Sequence, residues 1–116
     1  MSQRERDTPI QAVRWVDRTV VVEVAGDIDL NTSLRFQQAV LSLMDERPRR
    51  IVINLAKVPY MDSSGVASLV KLLSRARKGG SALYLVELGD RVRSVFEITR
   101  LDTVFSICAT EKEAMA

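Results

Sequence analysis

The sequence contains no histidine among its 116 residues. Histidine is the usual general base near neutral pH and a common metal ligand, and without it the Ser-His-Asp arrangement cannot form. A Gly-x-Ser-x-Gly elbow is absent, and so is a Gly-x-x-x-x-Gly-Lys-[Ser/Thr] phosphate loop. We therefore expect a protein that is not an enzyme and that uses no cofactor.

Cysteine and long apolar runs are also scarce. The single cysteine, Cys108, excludes an internal disulfide and gives no metal framework. It belongs to the apolar run 104–108, so we expect it to fill core space. No apolar run approaches the ~20 residues that a membrane-spanning helix needs, and residues 1–7 are polar, unlike a signal peptide. These features predict a cytoplasmic protein without a membrane segment.

Positively and negatively charged residues are nearly equal in number. Seventeen basic and 15 acidic residues give a net charge of +2, which is too balanced for a protein that coats nucleic acid. We expect no direct nucleic-acid binding. Basic residues do cluster within 47–50, 75–78 and 91–93. The simplest interpretation is solvated helix ends and outer faces, with a docking surface for an acidic partner as the alternative.

The chain length and its 47% hydrophobic content fit one domain with one core. We assign residues 1–9 to a flexible N-terminus and residues 10–116 to the domain. Strand patterns occur at 11–16, 19–25, 50–55, 82–86 and 103–108. The first two strands form a hairpin, and strand–helix alternation after residue 19 predicts a mainly parallel five-stranded sheet with an antiparallel edge strand and about four helices.

Helix signals follow the second, third, fourth and fifth strands. Candidate N-caps are Asn31, Thr32 or Ser33 for the first helix and Asp90 for the third, while Thr110 and Glu113 have capping-box spacing. Glycines at 79 and 80 end the second helix. Three buried stripes are predicted, and they comprise Phe36, Val40, Leu43 and Met44; Val66, Leu69, Val70, Leu73 and Ala76; and Val92, Val95, Phe96 and Ile98.

The segment Asp62-Ser63-Ser64-Gly65 lies between an apolar strand and the second helix. Backbone N–H groups in a first helical turn lack partners within the helix, and the helix dipole favours negative charge there. A phosphate on either serine would therefore be tolerated. On its own the segment is most simply an N-capped loop. Its adjacent hydroxyls, and a glycine that lets another backbone approach closely, favour a functional role.

Acidic residues in two loops offer a second kind of site. Asp27, Asp29 and Asp62 could supply carboxylate oxygens to a hard cation. Three acids in two separate loops are a weak signal, however, and we expect no metal.

Three segments resemble one known family. Tyr60-Met61-Asp62-Ser63-Ser64-Gly65 resembles the signature of bacterial anti-anti-sigma factors, the single-domain members of the STAS family. Gly26-Asp27-Ile28-Asp29 is similar to the family's second marker, and the segment 91–101 is similar to its late helix and the turn that follows. The resemblance covers about residues 10–110 and implies an α/β STAS fold. One departure is Ala67, where the family often has glycine.

The resemblance implies a phosphorylation switch. In such proteins the serine after the aspartate, here Ser63, is phosphorylated by an anti-sigma factor that is itself a serine kinase, and a PP2C-type phosphatase resets the switch. The unphosphorylated form binds the anti-sigma factor and so frees a sigma factor. The predicted partner-binding residues are Asp27, Asp29, Asn31, Asp62, Ser64 and Gly65.

Two alternatives remain open at this point. The first is a STAS module that acts as a permanent scaffold in a transport or signalling complex, with Ser63 never modified. The second is a small-molecule or nucleotide binder that uses the same helix N-terminus.

Overall fold

The computed structural model describes residues 8–116 and shows an α/β domain with one five-stranded sheet. The strands are β1 (Ile10–Val16), β2 (Thr19–Ala25), β3 (Arg50–Lys57), β4 (Ala82–Val86) and β5 (Ser106–Cys108). The helices in this part of the chain are α1 (Ser33–Met44), α2 (Ser63–Gly79), α3 (Asp90–Ile98) and α4 (Glu111–Met115), with a short 3-10 helix at Leu101–Thr103. The predicted order of elements is confirmed.

The strands lie in the sheet in their order along the chain, from β1 to β5. β1 pairs antiparallel with β2, and the other three pairings are parallel, as predicted. Successive crossovers that share one hand and one direction place their helices on the same face. Residues of α1, α2 and α3, such as Phe36, Leu72 and Phe96, accordingly join Ile53 and Leu85 in one large buried cluster.

The opposite face of the sheet has a smaller cover, provided by the five-residue helix α4. Val21, Val52 and Val86 form a second buried cluster with Ala114, and Cys108 packs partly buried against it. Apolar contacts on both faces explain why β3 is apolar without alternation.

Polar contacts attach α4 to the sheet. Glu111 accepts a hydrogen bond from Arg14 Nη2 at 2.6 Å and another from Asn54 Nδ2 at 2.6 Å. Burial opposes ionisation of Glu111, but these two hydrogen bonds outweigh it and lower the pKa of the carboxyl group. The bond to Glu111 in turn raises the pKa of Arg14. Ionised Glu111 thus holds α4 against β1 and β3.

The predicted fifth strand begins too early. β5 starts at Ser106, because the preceding residues form a 3-10 turn, in which Val104 N–H donates to Leu101 O at 3.0 Å, and Phe105 N–H donates to the same oxygen at 2.9 Å. That turn places the Phe105 ring edge-on to Phe96, with ring centroids 5.4 Å apart, and leaves Val104 exposed. Packing of one aromatic ring therefore outweighs the strand propensity of residues 103–105.

Two predicted core positions are wrong. Val70 is 43% exposed and Ile98 is 83% exposed, whereas Leu72 is fully buried. The buried face of α2 runs through Ser68 and Leu72, and Ser68 Oγ donates to Ser33 O at 3.2 Å across the contact with α1. A small hydroxyl residue thus takes a position that hydrophobicity alone would not select.

Helix starts also differ in detail from the predictions. Thr32 occupies the N-cap of α1 without a side-chain capping bond, and Gly89, not Asp90, is the N-cap of α3. Thr110 does cap α4, accepting from Glu113 N–H at 3.2 Å.

Residues 1–7 of the predicted flexible N-terminus lie outside the described part of the chain. Pro9 is buried, and its carbonyl accepts from Ala25 N–H at 2.8 Å, so it packs with the domain. Within residues 8–116 no helix has the length and apolarity to cross a membrane.

Candidate functional site

Two loops meet at the carboxyl ends of β2 and β3. Ile28 N–H donates to Tyr60 O at 3.1 Å, and Asp62 N–H donates to Ile28 O at 3.3 Å. These bonds form a short parallel bridge between Ile28 and Met61, both of which are buried. The apolar residues inside the two otherwise polar loops therefore anchor them to the core and fix their relative position.

Asp62 is the N-cap of α2 and connects the two loops. Its Oδ1 accepts from Ser64 N–H at 2.8 Å and from Gly65 N–H at 3.2 Å, while its Oδ2 accepts from Leu30 N–H at 3.1 Å. The expectation that the first-turn N–H groups are free for a phosphate is thus wrong for these two groups. The carboxylate already neutralises this helix end.

Asp29 organises the other loop. Its Oδ1 accepts from Asn31 N–H at 2.9 Å and from Thr32 N–H at 3.2 Å. The Thr32 hydroxyl donates to Asp27 O at 2.8 Å and accepts from Asp29 N–H at 3.1 Å. Asp29 therefore shapes a tight turn, and the exposed side chains of Asp27 and Asn31 lie on its outside.

Gly65 is buried where the two loops touch. A β-carbon at this position would lie 2.5 Å from Ile28 O and 2.6 Å from Met61 Cγ, closer than real β-carbons approach other atoms. The close backbone approach predicted at this glycine is therefore made by Ile28 of the same chain. Glycine is needed here to let the two loops close.

Ser63 is the first residue of α2 and is exposed, whereas Ser64 is half-buried. Ser63 is therefore accessible from solvent without opening the fold. Ala67 is exposed one turn further along the same helix. Of the two adjacent serines, the first is the more accessible.

Large apolar side chains surround these loops without being buried. Leu30 is 78% exposed, Leu34 is 60% exposed and Tyr60 is 42% exposed. The guanidinium of Arg91 lies 6.0 Å from the centre of the Tyr60 ring. Exposed apolar residues clustered next to polar ones are typical of protein-binding surfaces. We call Leu30, Leu34, Tyr60 and Ser63 the apical surface.

The acidic residues of the two described loops are not grouped as metal ligands. Among residues 8–116 no group of three potential ligand side chains is arranged to hold a metal ion. The carboxylates of Asp29 and Asp62 instead accept backbone N–H groups within the loops.

Comparison with known proteins decides the family. A protein-family model described as the STAS domain matches residues 11–114. The chain belongs to the STAS domain family. The predicted resemblance and fold class are thereby confirmed, and the site described above lies at the positions that carried the resemblance.

Relatives of this STAS domain include anti-sigma factor antagonists. The anti-sigma-B factor antagonist of Staphylococcus aureus strain NCTC 8325 / PS 47 is 30% identical over 91 residues, covering 78% of this chain and 84% of the relative. The crystal structure of an anti-sigma factor antagonist from Mycobacterium paratuberculosis is 28% identical, with a TM-score of 0.82 over 90% of this chain and 88% of the other. The Bacillus cell fate determinant SpoIIAA in its phosphorylated form shares the fold, at 24% identity and a TM-score of 0.69, over 90% and 95% of the chains.

The loops of this STAS domain bring together the residues singled out in sequence. Asp62 and Asp29 fix the two loops, and Ser63 lies accessible beside them. Sequence reasoning missed Leu30 and Leu34, which lie outside the buried stripe of α1. The signal that could have found them is an apolar side chain placed in a loop or on an outward helix position, where burial gives no reason for it.

Proposed function

We propose that this protein is an anti-sigma factor antagonist controlled by phosphorylation of Ser63. In the unphosphorylated form it binds an anti-sigma factor that is also a serine kinase, and so releases a sigma factor. The observation that carries the proposal is the exposed Ser63 at the start of α2, directly after Asp62, whose carboxylate accepts the N–H of exposed Leu30 at 3.1 Å.

The apical surface is suited to a protein partner. Burying apolar area stabilises a complex by about 25 cal/mol per Å² before the costs of association. Leu30 and Leu34 offer such area in the free protein. We propose that the exposed Asp27 and Asn31, together with Asp29, Asp62 and Ser64, form the polar part of this interface. Gly65 acts by keeping the loops closed.

Phosphorylation at Ser63 would add about −1.5 to −2 charge at neutral pH. Because Asp62 already occupies the N–H groups of Ser64 and Gly65, the phosphate would find neither of them free and would project outward. The nearby carboxylates of Asp62 and Asp29 add to the negative charge. The fold should tolerate this change, since Ser63 lies outside the core.

The interface should not tolerate the same charge. Burying a charge without a partner costs several kcal/mol, whereas a micromolar complex is worth about 8 kcal/mol. A phosphate in the apical surface would therefore weaken binding by several orders of magnitude. The proposed switch is a local electrostatic block that needs no change of fold.

The test uses this protein with purified anti-sigma factor kinases from its own organism. Titration calorimetry should show binding by Ser63→Ala and by the matched control Ser74→Ala, which alters an exposed serine further along α2 and outside the proposed interface, and loss of binding by Ser63→Asp. Intact mass after incubation with ATP should rise by one phosphate in the control and stay unchanged in Ser63→Ala. Tight binding by the Asp variant would refute the block.

The phosphatase and the scaffold alternative need separate measurements. A PP2C-type phosphatase with its metal should return the phosphorylated protein to its original mass and restore binding. A partner that binds but never transfers phosphate to Ser63 would favour a permanent scaffold instead.

A further inference from the structure

We propose that a cleft on the α4 face of the sheet, at the end opposite Ser63, binds a small phosphate-bearing anion. The cleft has a volume of about 610 Å³. Three arginines, Arg18, Arg49 and Arg50, line it together with a single acidic residue, Asp17. The proposal does not depend on phosphorylation of Ser63.

The strand register explains why a cavity forms there. Arg50 begins β3 and pairs with Thr19 of β2 on one side and with Ala82 of β4 on the other. Residues aligned in this way share one face of the sheet. Arg50 is thus flanked by two small side chains. The five-residue helix α4 reaches the cleft only with Met115, so the space beside Arg50 stays open.

The loops that carry the other two arginines are tied together. Arg49 N–H donates to Arg18 O at 2.8 Å, and Ala82 N–H donates to Arg49 O at 2.9 Å. The guanidinium of Arg18 donates to Arg47 O at 2.7 Å. The backbone at the cleft is therefore held in place before any ligand arrives, which lowers the entropy cost of binding.

The charge in the cleft is not compensated by ion pairs. Within residues 8–116 the ion pairs are those of Arg14 with Glu23 and with Glu111, so Arg49 and Arg50 form none. Three arginines and one aspartate leave a formal charge of +2 in the lining. Guanidinium groups bind phosphate oxygens through paired, charge-assisted hydrogen bonds.

The shape of the cleft favours a small molecule over a large one. Its volume lies within the ~300–1,000 Å³ that is usual for small-ligand sites. Tyr84 also lines it and offers a ring to a ligand that carries a flat group. Because β3 has eight residues, the cleft lies about 25 Å from the apical surface at ~3.3 Å per residue. A ligand there would leave the partner-binding end free.

The test uses the full chain and tripolyphosphate as the probe. Titration calorimetry should show saturable 1:1 binding. The double variant Arg49→Gln/Arg50→Gln should weaken it by about tenfold or more, as expected when a charge-assisted hydrogen bond is lost. Arg75→Gln/Lys78→Gln removes the same charge outside the cleft and should change affinity by less than about threefold. Thermal unfolding checks that both variants are folded.

Nuclear magnetic resonance of the unaltered protein gives an independent readout. Tripolyphosphate should shift the amide signals of Thr19, Arg50 and Tyr84 and leave those of Leu30 and Ser63 in place. ATP as a second probe shows whether the cleft recognises a nucleotide or only its phosphate groups. Tighter binding of ATP than of tripolyphosphate indicates a nucleotide, and equal binding indicates recognition of phosphate alone. Absence of binding at millimolar probe, equal losses in the two double variants, or shifts confined to the Ser63 end would each overturn the proposal.

Discussion

Replacing Gly65 with alanine should disrupt the junction of the two loops. The new β-carbon would lie 2.5 Å from Ile28 O, whereas ordinary contacts begin at 3.4 Å, so the two must separate by about 0.9 Å. Ile28 is fully buried, and the oxygen that must move also accepts the Asp62 N–H bond. The strain therefore falls on the core and on the loop that shapes the apical surface.

The size of the effect follows from three contributions. Overpacking a buried site costs about 1–3 kcal/mol. Loss of the Asp62–Ile28 hydrogen bond adds about 0.5–1.5 kcal/mol. The higher helix propensity of alanine offsets up to about 1 kcal/mol of this destabilisation. Together these contributions should lower the free energy of unfolding by about 0.5–4.5 kcal/mol, which a domain with about 5–15 kcal/mol of stability survives.

The chain offers a matched control on the same helix. A β-carbon added at Gly79, the last residue of α2, would meet no atom within 4 Å. Gly79→Ala should leave stability unchanged or raise it by up to about 1 kcal/mol.

Urea unfolding followed by far-ultraviolet circular dichroism measures both variants. A lower free energy of unfolding for Gly65→Ala, together with an unchanged or higher value for Gly79→Ala, would support the reasoning. A Gly65→Ala variant as stable as the unaltered protein would refute it, because the junction of the two loops would then have space for a β-carbon that the structure does not show.

Three further predictions concern the same contacts. Asp62→Ala removes the acceptor for the Ser64, Gly65 and Leu30 N–H groups and should cost about 1–3 kcal/mol in urea unfolding, most of which Asp62→Asn should recover. The pKa of Glu111 is lowered in the folded state, so its stabilisation is complete above the ordinary value of 4.5 and is lost as the pH falls through the folded-state pKa. Glu111→Gln should therefore reduce stability at pH 7 more than at pH 3, by about 0.5–1 kcal/mol; equal losses at both pH values would contradict this. Leu34→Ser should keep the unfolding free energy within about 0.5 kcal/mol and weaken binding of the anti-sigma factor at least about tenfold; unchanged binding would place the interface elsewhere.

Local patterns were sufficient to predict most of the fold. The valines of β2 alternate between two faces, and the structure places Val20 and Val22 in one cluster and Val21 in the other. The cap of α4 was also visible, since Thr110 and Glu113 are three residues apart. Each of these signals depends on neighbours within one element, which is where sequence periodicity is informative.

Contacts between distant residues could not be predicted in the same way. Arg14 and Glu111 are 97 positions apart, and Asn54 and Glu111 are 57 apart, so no local pattern connects them. The site shows the same division. The accessible position of Ser63 followed from its strand–loop–helix setting. The way the two loops meet, however, determines that Asp62 accepts the Ser64 N–H and that Ile28 packs against Gly65, and no local pattern predicts how they meet.

The position of α4 along the chain has a consequence for biosynthesis. Polypeptides leave the ribosome from the N-terminus onward. All five strands are therefore translated before the helix that covers Val21, Val52 and Val86. Until Ala114 emerges from the ribosome, these three valines lie uncovered on one face of the nascent sheet, and exposed apolar surface of this kind makes a folding intermediate prone to aggregate.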